Sequence, residues 1–128
     1  MPPQFLFVCL AGALGTGARY LLGTWAVRTF GPVFPIGTLI INALGSFLLV
    51  VIMGLSLERD LIPADLRVVL TTGMMGGFTT YSTFNYETLR LLQQGSRGLG
   101  LLYLGATLVC CLVLGVLGAI LVRLVPVG

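Results

Sequence analysis

From Ile36 to Leu57 the chain reads "IGTLIINALGSFLLVVIMGLSL", with no charged side chain anywhere in the run. A helix of that length crosses the hydrocarbon core of a bilayer, which is about 30 Å thick and takes about 20 residues. Three further runs are long enough to do the same: roughly residues 4–27, interrupted only by Arg19, roughly 66–92, and roughly 99–125. A water-soluble fold needs a polar outer face, and about 25% charged residues is usual. Here 9% are charged and the mean hydropathy is +1.07. The sequence therefore predicts an all-α integral membrane protein, with four transmembrane helices in a single domain over residues 1–128.

The same facts narrow the function. The connections "RTFGPVFP", "ERDLIPAD" and "QQGSRG" are short and contain the Gly or Pro of turns. No soluble domain is attached, so chemistry has to occur within the membrane or at its edge, and no enzyme is expected. The N-terminal "MPPQFLFVCLAG" lacks the basic region of a cleavable signal peptide, and none is expected. The net charge of +3 comes from arginines alone, without lysine or histidine, and they form no basic stripe; nucleic acid is not an expected partner. Cys9, Cys110 and Cys111 lie inside apolar runs and read as small buried hydrophobes.

Loop arginines normally fix orientation by staying on the cytoplasmic side. With four spans, one side holds Arg59, Arg67 and Arg123 and the other holds Arg28, Arg90 and Arg97. That balance gives the insertion machinery little to read. Either another feature overrides it, or both orientations occur and pair as an antiparallel homodimer about an axis in the membrane plane.

The third run departs from the pattern. In "GMMGGFTTYSTFNYETLRLL" (Gly73 to Leu92), Gly73, Gly76 and Gly77 each weaken a helix by about 1 kcal/mol relative to alanine. Thr79 and Thr80 follow, with side chains that compete for backbone hydrogen bonds. A helix broken at mid-membrane is predicted there, tolerated where it is buried or lines a wet cavity, against the plainer reading of a kinked packing helix. Beyond the break, Thr79, Thr83, Glu87 and Arg90 recur at i, i+4, i+8 and i+11 as one polar stripe, with Ser82 beside it. Tyr81, Phe84 and Thr88 fall on another face. Glu87 is the one intramembrane carboxylate, which marks either a functional site or an i, i+3 pair with Arg90. Asn42 offers either an interhelical hydrogen bond or an N–H donor to an anion. Tyr103, Thr107 and Cys111 make a second, milder stripe. Arg19 either draws anions or reaches to an interface. Hydroxyls, an amide, ring edges and an arginine suit a small anion better than a metal cation.

The stretches "GTLIIN" (Gly37 to Asn42), "GMMGGFTTYSTFNYETL" (Gly73 to Leu89) and "GTGARY" around Arg19 resemble the bacterial fluoride channels of the Fluc (CrcB) type. All four runs match that family in length and order. The resemblance implies a dual-topology homodimer in the inner or plasma membrane, exporting fluoride passively through two antiparallel pores. It implies a central structural sodium ion held by the backbone carbonyls of Gly76 and Thr79. It assigns the pore lining to Asn42, Tyr81 and Phe84, a polar track to Ser82, Thr83, Glu87, Tyr103 and Thr107, and the vestibule to Arg19. Tyr81 departs from the usual phenylalanine, and Cys111 stands where a small hydroxyl residue is common. Two other readings compete. A small multidrug-type proton-coupled transporter would need a glutamate in its first span, where this chain has none. A non-transporting assembly subunit would not need the polar stripe.

Overall fold

The structure, a computed structural model, describes residues 3–127. Every regular element among them is helical. Helix α1 covers Pro3–Phe30, α2 Ile36–Leu57 and α6 Arg97–Leu124, and these are the described helices long and apolar enough to cross a membrane. Between α2 and α6 lies a composite segment: α3 (Ala64–Val68), a π-helical stretch (Val69–Met75), α4 (Gly76–Phe78) and, after two extended residues, α5 (Tyr81–Gln93).

The helix ends follow from local chemistry. Gly31 and Gly95 take left-handed φ angles of +83° and +82° just beyond α1 and α5, where an L side chain would be strained. The Gly31 N–H returns to the Val27 carbonyl at 2.9 Å. Asp60 takes φ 56° in the second connection, a conformation that Asp tolerates better than most residues. At that end Arg59 donates to the carbonyls of Val122 and Arg123, at 3.1 and 2.9 Å, which ties the α2–α3 turn to the C-terminus of α6.

Helix α2 packs along α6, and α1 packs along the π-helical stretch and α4. Both seams rest on glycine. A Cβ at Gly118 would stand 3.0 Å from the Phe47 carbonyl oxygen, and one at Gly73 only 2.7 Å from that of Val8. A Cβ at Gly15 would collide with the Met74 carbonyl, and one at Gly77 with that of Gly12. In lipid no hydrophobic effect draws helices together, so close backbone approach has to supply the packing. The core holds two clusters: Ile41, Met75 and Phe78 on one side of the break, and Phe84, Leu91 and Tyr103 on the other. The outer faces of α1 and α6 are apolar and exposed, with Leu14 and Leu112 as examples, as surfaces that meet acyl chains.

The glycine-rich stretch is not where the helix breaks. Helical backbone runs on through Met75 and Gly76, with ψ near −35°, and stops only at Thr79 (φ −85°, ψ 157°) and Thr80 (φ −151°, ψ 115°). Gly73 and Gly77 let α1 approach; the chain opens at the threonines that follow.

Candidate functional site

The two extended residues leave backbone groups without helical partners, and side chains take them up. Asn42 on α2 grips Thr80 from both sides. Its Nδ2 donates to the Thr80 carbonyl at 2.9 Å, and its Oδ1 accepts the Thr80 N–H at 2.8 Å. The amide's orientation is thereby fixed, and one of its two N–H bonds is left over. The Thr80 hydroxyl caps α5, accepting the Thr83 N–H at 3.3 Å and donating to the Thr83 hydroxyl at 3.0 Å. The Thr83 hydroxyl, already an acceptor, keeps its own hydrogen for another partner. On the near side of the break, Thr79 turns back along its helix. Its N–H and its hydroxyl both donate to the Met75 carbonyl at 2.9 Å. Arg19 donates from Nε to the Gly77 carbonyl at 3.0 Å, placing a cation at the C-terminal, negative end of that half-helix.

A cavity of about 710 Å3 opens between α1, the start of α2 and α5. Its inner wall includes Arg19, Thr38, Thr80, Thr83 and Glu87, and its outer part holds Arg28 and Arg90. Thr80, Thr83, Glu87 and Arg90 thus share one face, whereas Thr79 lies before the break and out of register with α5. The stripe read from the sequence is corrected by one residue. A helical count carried through Thr79 assumes helical backbone that is absent there.

Glu87 does not pair with Arg90; no ion pair forms among the described residues. Its Oε1 accepts the Tyr103 hydroxyl at 3.1 Å. Tyr103 is 0% exposed and sits between two rings, Phe84 at 5.2 Å and Phe34 at 5.6 Å, both in edge-on geometry. Phe84 is buried and contacts Tyr81 edge-on at 5.8 Å, but Tyr81 itself is 78% exposed and Ser82 is exposed beside it. Thr107 lies on α6 one turn beyond Tyr103, buried, and its hydroxyl has no partner among the described residues. Glu87, Tyr103 and Phe84 are in direct contact within one subunit; Tyr81 and Ser82 face out of it. Sequence reasoning ranked Thr79 above Thr80 and assigned nothing to Phe34. Threonine is among the residue types that cap helix starts, and that is the available signal for Thr80; Phe34, in a connection, carries none.

The carbonyls of Gly76 and Thr79 receive no hydrogen bond from the described residues, because the Thr80 and Thr83 N–H groups that would reach them in a continuous helix go to Asn42 and Thr80 instead. They are hard, neutral oxygens of the kind that suits a small cation such as sodium. No group of His, Cys, Asp and Glu side chains suitable for a metal occurs among the described residues.

These features define an all-α, multi-pass membrane protein with a broken helix and a donor-lined cavity that reaches the break. Residues 6–119 match the family model described as CrcB-like protein, Camphor Resistance (CrcB). The chain belongs to the CrcB family. It is 57% identical to the fluoride-specific ion channel FluC of Anaeromyxobacter sp. (strain K), over 94% of this chain and 95% of that protein. It is 47% identical to the FluC protein of Sorangium cellulosum over 98% of both chains, and 48% identical to that of Thermus thermophilus over 90% of both.

Proposed function

We propose that this chain is a fluoride-selective channel that lets fluoride leave the cell passively and so lowers its toxicity. The observation that carries the proposal is the cavity leading to the break. It offers donors to an anion, from Arg19 at the inner wall to the hydrogen of the Thr83 hydroxyl, and it ends at Thr80, which Asn42 holds with one N–H to spare, in a family whose relatives are named fluoride-specific channels. Fluoride holds its water tightly, so a narrow site has to replace that water with other donors, each weak enough to release the ion. Ring edges at Phe84 and Tyr81 carry the positive end of the aromatic quadrupole and add to them. The Tyr103 hydrogen bond holds the Glu87 carboxylate to one side of the track, and the Thr107 hydroxyl is a further donor along it.

The reading includes four spans, with the Ala64–Gln93 segment as the third, and an antiparallel homodimer. Tyr81, Ser82 and Gly76 face outward from one subunit, as residues completed by a second copy would. Gly76 and Thr79 carbonyls from two copies would supply four oxygens to a shared structural sodium ion, whose positive charge would offset the gathered carbonyl dipoles. Heavier monovalent cations should substitute there and be seen by anomalous scattering; an empty site would remove the ion from the account. A proton-coupled multidrug-type transporter gains no support, since α1 holds no acidic residue. Fluoride release from liposomes, read by a fluoride electrode, tests the function.

A further inference from the structure

The outer cavity holds positive charge that the chain itself leaves unanswered. Arg28 in the last turn of α1 and Arg90 in the last turn of α5 both line it. Arg19, Arg59 and Arg67 each donate to a protein oxygen. Arg28 and Arg90 donate to none among the described residues, and the Nε of Arg90 is buried without a partner. A buried donor left unpaired is costly, more so when charged. Glu87 lies one turn before Arg90 and lines the same cavity, but it forms no ion pair with Arg90 and is one carboxylate against the arginines Arg19, Arg28 and Arg90 there.

A second feature converges on the same space. Ile36, Gly37 and Thr38, the first residues of α2, line the cavity, and Pro35 provides no side-chain cap. The Ile36 N–H goes to the Phe34 carbonyl at 2.8 Å, while the Gly37 and Thr38 N–H groups have no backbone acceptor among the described residues. The positive end of a 22-residue helix is therefore open to the cavity. Arg28, Arg90 and the first residues of α2 all line this one cavity, which favours an anion that offers several oxygens. A tetrahedral oxyanion presents several oxygens, which planar guanidinium forks and helix N–H groups match.

We infer that the outer cavity is a binding site for a phosphate-class oxyanion, held by Arg28, Arg90 and the N-terminus of α2. The phosphate comes either from solution or from an anionic lipid headgroup at the membrane surface. The site lies outward of Thr83 and Glu87, so its occupant stands in the path between the break and that surface.

Binding to the purified protein in detergent tests the site without reference to ion flux. Titration calorimetry would use inorganic phosphate in one arm and short-chain phosphatidic acid in the other. Saturable binding is expected in at least one arm, weakened on the order of tenfold by Arg28→Gln or Arg90→Gln, the loss of one charge-assisted contact. Binding of inorganic phosphate identifies the free anion; binding of phosphatidic acid alone identifies the lipid. Arg97→Gln, at the exposed start of α6 and outside the cavity, should bind as the unmodified protein does. Arg28 is exposed, so its variant remains informative even if Arg90→Gln misfolds. No binding in either arm, or equal binding in Arg28→Gln and Arg97→Gln, overturns the inference.

Discussion

Asn42 holds the break in the structure, and substitution separates that role from the part in transport proposed for it. Its amide closes both hydrogen bonds of Thr80 and keeps one N–H in reserve. Asn42→Asp keeps the acceptor for the Thr80 N–H but removes the donor to the Thr80 carbonyl and places negative charge beside an anion route. A lost stability of about 1–3 kcal/mol is expected from the unpaired carbonyl, with efflux abolished in a protein that still assembles. Near-normal efflux would assign Asn42 to packing alone. Phe84 and Tyr81 divide differently. Phe84 is in the core against Tyr103, whereas Tyr81 is exposed in the single subunit. If rings only fill space, an aliphatic of similar bulk should serve, since volume-conserving swaps usually cost under about 1.5 kcal/mol. Ion contact instead predicts that Phe84→Ile sharply reduces efflux without loss of assembly, and that Tyr81→Phe is tolerated because the ring edge remains. Full activity in Phe84→Ile and Tyr81→Ile would return both rings to packing.

At the scale of elements, the broken helix shows what a sequence reveals and what it hides. The long apolar runs are legible because lipid demands length and internal hydrogen bonding, and α2 begins after Pro35 and ends before Glu58, as its apolar run does. That a break lies in the 73–80 stretch is legible from Gly and Thr together. Its placement is not, because glycine has two uses. A glycine that weakens a helix and one that admits a neighbouring backbone look identical in a single chain, and only the position of α1 shows that Gly73 and Gly77 do the second. Likewise the Glu87–Arg90 spacing fits an ion pair, and nothing in the sequence announces that Tyr103, sixteen residues on, holds the carboxylate. The seam gives a direct prediction. Gly15→Ala would drive a methyl into the Met74 carbonyl, and a cost of about 1–3 kcal/mol is expected for such overpacking. Gly98→Ala meets nothing within 4 Å and should be neutral or slightly stabilising. Thermal unfolding in detergent compares them; equal midpoints for the two variants would refute the seam.

For the whole molecule, the charge balance is the feature with the longest reach. In the proposed four-span arrangement three arginines would lie near each side, which would leave orientation undecided and suit antiparallel pairing. The second connection holds Arg59 against the α6 carbonyls and Arg67 against the Ser56 hydroxyl, yet both charges still count during insertion. Adding two lysines between Glu58 and Asp65 should force a single orientation and impair assembly of functional dimers. Cysteine-accessibility labelling that finds one orientation in the unmodified protein would contradict the dual insertion. Residue types made the anion preference legible, but not the cavity, whose outer arginines come from distant parts of the chain.

Passive passage of fluoride through this molecule is directly measurable. Liposomes loaded with potassium fluoride and holding the purified protein, diluted into fluoride-free medium with the membrane potential clamped and no pH difference across the membrane, test it most directly. A passive fluoride channel gives rapid fluoride release at the electrode, unchanged when a pH gradient of either sign is imposed, and retention of chloride in a parallel preparation. Release that requires a proton gradient, or chloride leaving as fast as fluoride, would contradict it.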